Sequence, residues 1–260
     1  MTAPHFEPAS HVQKIEEAAR EGGWTIRYLS PTPVSTRPWL QRPARVTEPG
    51  KATPRFYLST GIHGDEIAGP LAVLEMLRLP GFFDQVDATI FPILNPEGLF
   101  RAVRGNFYGI DLNRDYRGAK SSEIRSHLKV LPTLGSFDLA MMLHEDFEGT
   151  GAYLYELNDG PMPKLGPRII DAMRKHVPID ERPIIEEVPA HGGILQRAEL
   201  IRKLGPIENR LEWPEAIYLS IHHTKVSYTT ETPMLVPLEQ RVAAQIEAVR
   251  TVLEALVATR

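Results

Sequence analysis

The chain has 260 residues, of which 42% are hydrophobic and 24% are charged, and its formal net charge is −4. This composition excludes collagen-like, low-complexity and wholly disordered proteins, and the length allows one large α/β domain with a full core. No basic excess points to nucleic acid or an anionic membrane as a partner. The chain has no cysteine, which excludes disulfides, thiolate metal ligands and a cysteine nucleophile. Any metal site must therefore use His, Asp or Glu.

The first 25 residues carry scattered charges instead of the apolar core of a signal peptide, and no stretch approaches the roughly 18 apolar residues of a membrane span. We therefore expect a cytoplasmic protein that does not enter a membrane. Removal of a leader would leave the same pattern, and the sequence leaves the oligomeric state open.

Apolar periodicities and turn residues predict, in chain order, a helix at 10–21 with Ser10 as N-cap, strands at 24–30 and 55–60, a helix at 66–80, a strand at 88–95, a polar loop at 96–117, a helix at 121–131, strands at 137–143 and 152–157, a helix at about 163–176, strands at 216–220 and 225–231, and a helix at 238–258. The proline-rich stretch 30–54 is expected to be a loop or an irregular edge hairpin, because the next strand follows at once. This alternation predicts a layered α/β fold, with residues 1–260 as a single domain.

The segment Gly61–Glu66, GIHGDE, follows a predicted strand and opens a predicted helix. It therefore lies at the carboxyl edge of the sheet, where α/β folds place ligands. His63 and Glu66 are three residues apart, which brings both side chains to one side of a helical or tight turn. An imidazole and a carboxylate suit zinc, but a solvated pair on a helix is the more common explanation of this spacing alone.

A second predicted strand, at 137–143, ends in His144. An isolated histidine at such a place is more often a structural hydrogen-bonding residue. Together with His63 and Glu66, however, it would supply the third protein ligand that a hydrolytic zinc site requires.

The predicted loop between these strands is rich in arginine and asparagine. It contains Arg101, Arg104 and the segment DLNRDY at 111–116. Two interpretations remain open, a salt-bridged surface loop or a pocket for a carboxylate, since the arginine fork binds carboxylates in a bidentate manner.

Five separated motifs, GIHGDE at 61–66, NPEG at 95–98, DLNRDY at 111–116, a strand ending in Leu-His at 143–144 and TTETP at 229–233, resemble the zinc metallocarboxypeptidase superfamily in content and order. That superfamily includes carboxypeptidase A-like peptidases and the succinylglutamate desuccinylase/aspartoacylase branch. The resemblance extends over about residues 56–233. It implies a three-layer α/β/α fold with a mixed, twisted sheet of about eight strands.

The resemblance also implies a metal site. His63, Glu66 and His144 would bind one Zn²⁺ ion, and Asp111 would orient His63 by accepting a hydrogen bond from its second ring nitrogen. Ligating histidines usually have such a partner.

The remaining motif residues would act on the substrate. By resemblance, Asn113 and Arg114 hold the terminal carboxylate, and Arg104 binds the substrate, polarises the scissile carbonyl and stabilises the oxyanion. Arg101 competes for the role of Arg104. Glu231 is the expected general acid/base beside the zinc-bound water.

Two departures from the family bear on the substrate. Asn209 stands where digestive carboxypeptidases carry a mobile tyrosine, and neither Tyr218 nor Tyr228 is an obvious substitute. In addition, Glu145 and Asp146 follow His144, an acidic pair that those enzymes lack. We expect this pair to favour a basic or amine-bearing substrate group.

The other histidines that could be mistaken for ligands are given structural roles. His222 and His223 are predicted on or beside a strand, where adjacent side chains face opposite ways and cannot both enter one site. His191 lies in a loop that could border the pocket.

Together these features predict a zinc-dependent hydrolase that cleaves an amide bond next to a carboxylate-bearing residue. The first choice is a metallocarboxypeptidase acting on a peptide, with a cell-wall peptide as one candidate. The alternative is an N-acyl amino-acid deacylase of the succinylglutamate desuccinylase/aspartoacylase type. Such deacylases often have a further β-rich domain, whereas the stretch after Pro233 predicts one helix, which favours the peptidase. A non-catalytic binding protein is the remote alternative. The expected partners are a small peptide or an N-acyl amino acid.

Overall fold

The computed structural model describes residues 6–47, 49–196, 199–200, 205–206 and 209–259. Within them the helices are α1 (Pro8–Glu21), α2 (Ala68–Arg78), α3 (Pro96–Arg101), α4 (Ser122–Leu134), α5 (Gly166–Met173), α6 (Glu215–His222) and α7 (Leu238–Ala258), and a 3-10 turn, η1, covers Leu112–Arg114. The strands are β1 (Thr25–Leu29), β2 (Arg37–Arg42), β3 (Arg55–Thr60), β4 (Asp87–Phe91), β5 (Leu139–Asp146), β6 (Tyr153–Asn158), β7 (Ile184–Ile185), β8 (Val188–Pro189), β9 (Ile194–Gln196) and β10 (Val226–Pro233).

Eight of these strands form one mixed sheet in the order β1-β2-β4-β3-β5-β10-β6-β9. β5 lies parallel to both β3 and β10, so the carboxyl ends of these three strands meet at one edge of the sheet. β6 runs antiparallel to β10 on its other side. β7 and β8 pair with each other in a separate hairpin. The shared carboxyl edge is where an α/β fold places its ligands.

Alternate side chains of the central strands pack on opposite faces of the sheet. On β3, Phe56 and Leu58 belong to a core cluster with α1, α2, α5 and α7, whereas Tyr57 belongs to a second cluster with α4 and α6. Burial of each such side chain stabilises the fold by roughly 1.5–3 kcal/mol. Helices thus cover both faces, which confirms the predicted three-layer α/β/α architecture with a mixed sheet of eight strands.

The N-terminal elements differ from the prediction in one respect. α1 begins at Pro8, so Ser10 lies inside the helix, and the N-cap is Glu7, whose side chain makes no capping hydrogen bond. Proline suits the first helical turn because the N–H groups there have no intrahelical acceptor, and this lets the helix begin earlier. Within 30–54, β2 pairs antiparallel with β1, so the edge hairpin is confirmed.

The segment 216–220, predicted as a strand, lies in α6, and that prediction was wrong. A five-residue apolar run has no periodicity that separates a strand from a helix. Glu215 begins α6, and its N–H donates to the side-chain oxygen of Asn113 at 2.9 Å, a tertiary contact that the local sequence does not reveal.

Two further boundaries were also wrong. The predicted loop 96–117 contains α3 and η1, because Asn95 caps α3 by accepting a hydrogen bond from the N–H of Gly98 at 2.9 Å. His144 does not follow a strand but lies within β5, which continues to Asp146 because its parallel pairing with β10 extends that far.

None of the helices in the described part of the chain is both long and apolar enough to cross a membrane.

Candidate metal centre and substrate pocket

The segment between β3 and α2 places His63 and Glu66 side by side. Gly61 turns the chain after β3 with φ of +62°, a conformation that glycine adopts without strain. The N–H of Glu66 then points to the carbonyl of His63 at 3.4 Å, so the pair lies in a tight turn before the helix begins. His63 Nδ1 lies 2.5 Å from Glu66 Oε1.

His144 joins this pair from the neighbouring strand, β5. Its Nδ1 lies 2.9 Å from Glu66 Oε2. One donor atom each from His63, Glu66 and His144 therefore lies within 4.8 Å of the others, and all three residues are buried. The carbonyl of His144 accepts a hydrogen bond from Gln245 Nε2 of α7 at 2.8 Å, which fixes the backbone at this point.

The chemistry of this donor set fits a divalent cation. Glu66 Oε2 is buried and makes no hydrogen bond among the described residues, although His144 Nδ1 is near, and both histidines turn Nδ1 toward the same carboxylate. Two imidazole nitrogens and a carboxylate are a ligand set that zinc uses in hydrolytic sites. Burial raises the pKa of Glu66, but His144 and His63 outweigh it and bring the pKa to about 2, so the carboxylate is charged. The three residues could therefore hold a metal ion.

Asp111 lies beside His63. Its Oδ1 is 3.3 Å from His63 Nε2 and also accepts the N–H of Asn113 at 2.9 Å. Its Oδ2 accepts a hydrogen bond from Arg104 Nε at 2.9 Å. This partner fixes the tautomer of His63, because a nitrogen that donates to Asp111 leaves Nδ1 free for a metal.

Two glycines bring these segments together. A Cβ at Gly64 would lie 1.9 Å from the carbonyl carbon of Gly98, so the turn that carries His63 packs directly on the first turn of α3. The side-chain nitrogen of Asn95 bridges the same contact by donating to the carbonyl of Ile62 at 3.2 Å. The motifs GIHGDE and NPEG thus form one unit.

Glu231, on β10, lines the same cavity as His63, Glu66 and His144, the three residues called the metal cluster below. It is paired with His144 in the parallel register and with Tyr153 in the antiparallel register. Burial raises the pKa of its carboxyl group to about 8, and the nearby charge of Glu66 adds to this effect while His144 opposes it. A carboxyl group with such a pKa is suited to exchange protons near neutral pH.

Asn113 and Arg114 lie on η1. The side-chain oxygen of Asn113 accepts the N–H of Glu215, so its amide nitrogen is left to donate elsewhere. Glu215 is itself buried, and its carboxylate accepts hydrogen bonds from Tyr57 at 2.5 Å and Ser59 at 2.9 Å. This buried network fixes the orientation of Asn113.

One cavity of about 960 Å³ connects these groups. Its lining includes the predicted site residues His63, Glu66, Arg104, Asn113, Arg114, His144 and Glu231. Arg101 is not in the lining and donates to the carbonyl of Phe107 at 3.4 Å, whereas Arg104 Nη1 comes within 3.8 Å of Glu66 Oε1. The geometry thus favours Arg104 over Arg101.

The cavity also has walls that the sequence analysis did not predict. Tyr153 and Tyr155 line it from β6, and Arg210 and Glu186 line it from loops. The tyrosines lie there because β6 is antiparallel to β10, so Tyr155 pairs with Thr229 and shares a face with the Glu231 position. The sequence predicts the strand at 152–157, but it does not show which strand is its neighbour.

The acidic pair after His144 does not act as one charged patch. Glu145 is buried, forms an ion pair with Arg241 of α7 and accepts the N–H of Ala68 at 2.7 Å. Asp146 lines the cavity, but its Oδ2 accepts a hydrogen bond from Tyr153 at 3.0 Å. The predicted attraction for basic substrates thus loses Glu145 as a contributor.

The remaining histidines lie apart from the metal cluster. His222 is the last residue of α6 and His223 is its C-cap, so the two histidines, predicted on or beside a strand, lie at the end of a helix. His223 Nδ1 is 2.8 Å from the carbonyl oxygen of Gly135. Among the described residues, His191 and Asn209 are not part of the cavity lining.

Residues 52–157 match the family model of the succinylglutamate desuccinylase/aspartoacylase catalytic domain. The matched region contains His63, Glu66 and His144 and ends before Glu231. No match is found among curated proteins.

Solved structures share the fold over nearly the whole chain. A protein from Shewanella amazonensis, provisionally named a metallopeptidase, is 24% identical, and the match covers 95% of this chain and 92% of that one with a TM-score of 0.80. A metallo-carboxypeptidase from Burkholderia cenocepacia is 14% identical over 96% of this chain and 69% of that one, with a TM-score of 0.67. A metallo-carboxypeptidase from Pseudomonas aeruginosa, in complex with (2-guanidinoethylmercapto)succinic acid, is 17% identical over 95% and 68%, with a TM-score of 0.67. At these identities the likeness shows the fold.

Proposed function

We propose that the chain is a zinc-dependent hydrolase of the metallocarboxypeptidase superfamily that cleaves an amide bond next to a carboxylate-bearing residue, with the C-terminus of a peptide as the first choice. The family-model match at residues 52–157 and the shared fold of the solved structures support this proposal. One observation carries this proposal. The buried cluster of His63, Glu66 and His144 opens into the same cavity as Glu231 and the Asn113-Arg114 pair. Because the cavity draws on segments from residue 63 to residue 234, we also propose that residues 1–260 act as one catalytic domain.

The metal cluster and Glu231 would divide the activation of water between them. His63, Glu66 and His144 would hold the zinc ion, which would supply Lewis-acid chemistry by lowering the pKa of bound water toward about 7. Glu231 accepts the proton of the attacking water and passes it to the leaving amine. Its place opposite His144 in the sheet register supports this role.

Arg104 would stabilise the charge that develops on the carbonyl oxygen. Its guanidinium is held by Asp111 Oδ2 at 2.9 Å and is half-exposed to the cavity, so it needs no rearrangement to donate to a substrate. Loss of a donor of this kind costs on the order of 10²- to 10³-fold in rate.

Asn113 and Arg114 would bind the carboxylate of the residue that is released. The side-chain nitrogen of Asn113 is available because its oxygen is bound to the N–H of Glu215. Arg114 adds a charged fork beside it. The same pair serves a peptide C-terminus or the carboxylate of an N-acyl amino acid.

A deacylase is the second candidate, and the family model favours it, because residues 52–157 match the desuccinylase/aspartoacylase catalytic domain. The fold favours the peptidase through its metallo-carboxypeptidase neighbours. Both candidates use the same metal ligands and the same Glu231, so the substrate decides between them.

Mass spectrometry of a mixed substrate pool tests the proposal. Zinc-loaded protein is incubated with peptides, murein-type peptides and N-acyl amino acids, alongside Glu231→Gln and a control, Glu239→Gln, on the exposed side of α7. Loss of one C-terminal residue, absent only in Glu231→Gln, supports the carboxypeptidase, and release of an acyl group supports the deacylase. Hydrolysis that persists in Glu231→Gln contradicts the role proposed for Glu231. If the protein binds zinc but hydrolyses none of these substrates, the proposal that it is such a hydrolase is contradicted.

A further inference from the structure

A buried glutamine lies behind the metal cluster, between α7 and the sheet. Gln245 is fully buried, and its neighbours along α7, Ala244 and Ala248, belong to the apolar core cluster on this face of the sheet. Burial of an amide among apolar side chains costs stability unless its oxygen and its nitrogen both find hydrogen-bond partners. The partners of Gln245 therefore indicate what its amide stabilises.

The amide nitrogen of Gln245 binds the backbone of a candidate metal ligand. Gln245 Nε2 donates to the carbonyl of His144 at 2.8 Å. β3 pairs with β5 only as far as Leu143, so among the described strands only β10 is paired with β5 at His144. The hydrogen bond from α7 holds β5 at the point where the support of β3 ends. Because the His144 ring belongs to the metal cluster, a shift of this backbone would move one of the three candidate ligands.

The same amide binds β10 on either side of Glu231. Thr230 Oγ1 donates to Gln245 Oε1 at 2.6 Å, and Thr232 Oγ1 lies 3.4 Å from Gln245 Nε2. Both threonines are fully buried. Because successive side chains of a strand point to opposite faces, the threonines face α7 whereas Glu231, between them, faces the cavity. Gln245 therefore holds the two residues that flank Glu231.

We propose that Gln245 is a positioning residue that holds His144 and Glu231 at a fixed separation, so that the metal ligand and the general base stay aligned. The two residues are paired in the register of β5 and β10, and one amide joins both strands from behind. Gln245 is not among the described residues that line the cavity, so it acts through the strands. Misplacement of a reacting group by about 1 Å can cost on the order of 100-fold in rate. The roles of His144 and Glu231 are those of the proposed function, on which this inference rests.

Gln245→Met tests the positioning role through the metal. Methionine has a similar length and suits the apolar cluster, but it makes none of the amide's hydrogen bonds. Gln240→Met, the same change at an exposed position of α7, is the control. Competition with a chelator measures zinc affinity, and the absorption of Co²⁺-loaded protein reports the geometry of the ligands. We expect Gln245→Met to bind zinc about 10- to 100-fold more weakly and to change the cobalt absorption, with the control unchanged. Wild-type affinity and absorption in folded Gln245→Met overturn the proposal.

Thr230→Val tests the same amide from the strand side, also in the event that Gln245→Met does not fold. Valine keeps a β-branched side chain suited to a strand but does not donate to Gln245 Oε1. We expect zinc affinity to fall, by less than in Gln245→Met. The double variant should bind zinc as Gln245→Met does, because both changes remove the same link. Additive losses, or an unchanged zinc affinity in Thr230→Val, overturn the proposal.

Kinetics separate positioning from substrate binding. The Asn113-Arg114 pair lies on η1, whose Leu112 packs on the opposite face of the sheet from Gln245. We therefore expect zinc-saturated Gln245→Met to lose about 10- to 100-fold in kcat with KM little changed, and a loss confined to KM overturns the proposal. If wild type hydrolyses none of the substrates offered, weaker zinc binding by Gln245→Met still supports the positioning role. Wild-type zinc affinity and kcat in Gln245→Met refute that role and leave the proposed function in place.

Discussion

Gly64 and Gly98 pack backbone against backbone, so that any side chain at Gly64 would overlap the carbonyl carbon of Gly98 at 1.9 Å. The contact joins the turn that carries His63 and Glu66 to α3 and to the segment after α3, which carries Arg104. The N–H of Gly64 also donates to the carbonyl of Arg104 at 3.3 Å. The position of Arg104 relative to His63 therefore depends on this backbone contact.

Gly64→Ala is expected to disrupt the metal cluster. Relief of the overlap must separate two backbone segments, which exceeds the roughly 1–3 kcal/mol of ordinary overpacking in a core. We expect a lower melting temperature and a clear loss of bound zinc by metal analysis. Gly118→Ala is the control, because its Cβ would meet only side-chain atoms, the nearest being Asp115 Oδ1 at 3.3 Å. Full zinc content in Gly64→Ala would show that the contact does not position the site.

Asp111→Asn is expected to weaken zinc binding without removing a ligand. The Asp111 carboxylate lies 3.3 Å from His63 Nε2 and 2.9 Å from Arg104 Nε. An uncharged amide in its place would bind both groups more weakly, so that the His63 ring and the Arg104 guanidinium would be oriented less firmly. Partners of this kind typically contribute 10- to 100-fold in metal affinity or activity. Competition with a chelator measures the affinity, and Asp171→Asn on the exposed side of α5 is the control. Equal affinity in both variants would contradict the role given to Asp111.

The sequence predicted the metal cluster better than the cavity around it. His63, Glu66 and His144 stand on segments whose strand and turn character is visible locally, and parallel strands bring their carboxyl ends together. Arg210 could not be predicted, because its loop has no periodicity and its place depends on a hydrogen bond from Arg117 to its carbonyl. The same reason accounts for the wrong prediction at 216–220, since the helix there is fixed by a long-range contact to Asn113.

Glu145→Gln is expected to change stability more than substrate preference. The carboxylate is buried and pairs with Arg241, and its loss leaves that guanidinium without a counter-charge, which typically costs about 3–5 kcal/mol. Urea denaturation measures the free energy of unfolding of Glu145→Gln, Arg241→Met and the double variant, in which no charge is left unpaired. The double variant should recover part of the loss. A loss of activity on basic substrates with unchanged stability would instead support the acidic-pair hypothesis.

His127 should make the fold sensitive to acid. The ring is fully buried between the hydroxyl groups of Tyr57, at 3.2 Å, and Tyr116, at 2.8 Å. Burial, with a smaller contribution from the positive charge of Arg37, lowers the pKa of His127 from 6.5 to about 3. Since the unfolded chain binds this proton near pH 6.5 and the folded chain only near pH 3, the unfolded state is favoured as the pH falls through that window. The contribution of His127 to stability is complete above pH 6.5 and is lost by about 1.4 kcal/mol per pH unit below it.

Substitution of this histidine isolates the effect from the carboxylates that titrate in the same range. In His127→Gln the amide still hydrogen-bonds to a tyrosine but binds no proton, so the variant is expected to be less stable than wild type at pH 7. The difference between the two free energies of unfolding should shrink between pH 6.5 and pH 4 as wild type loses its contribution. Urea denaturation at half-unit steps of pH measures it. A difference that stays constant over this range would show that His127 takes up its proton in the folded state as readily as in the unfolded chain.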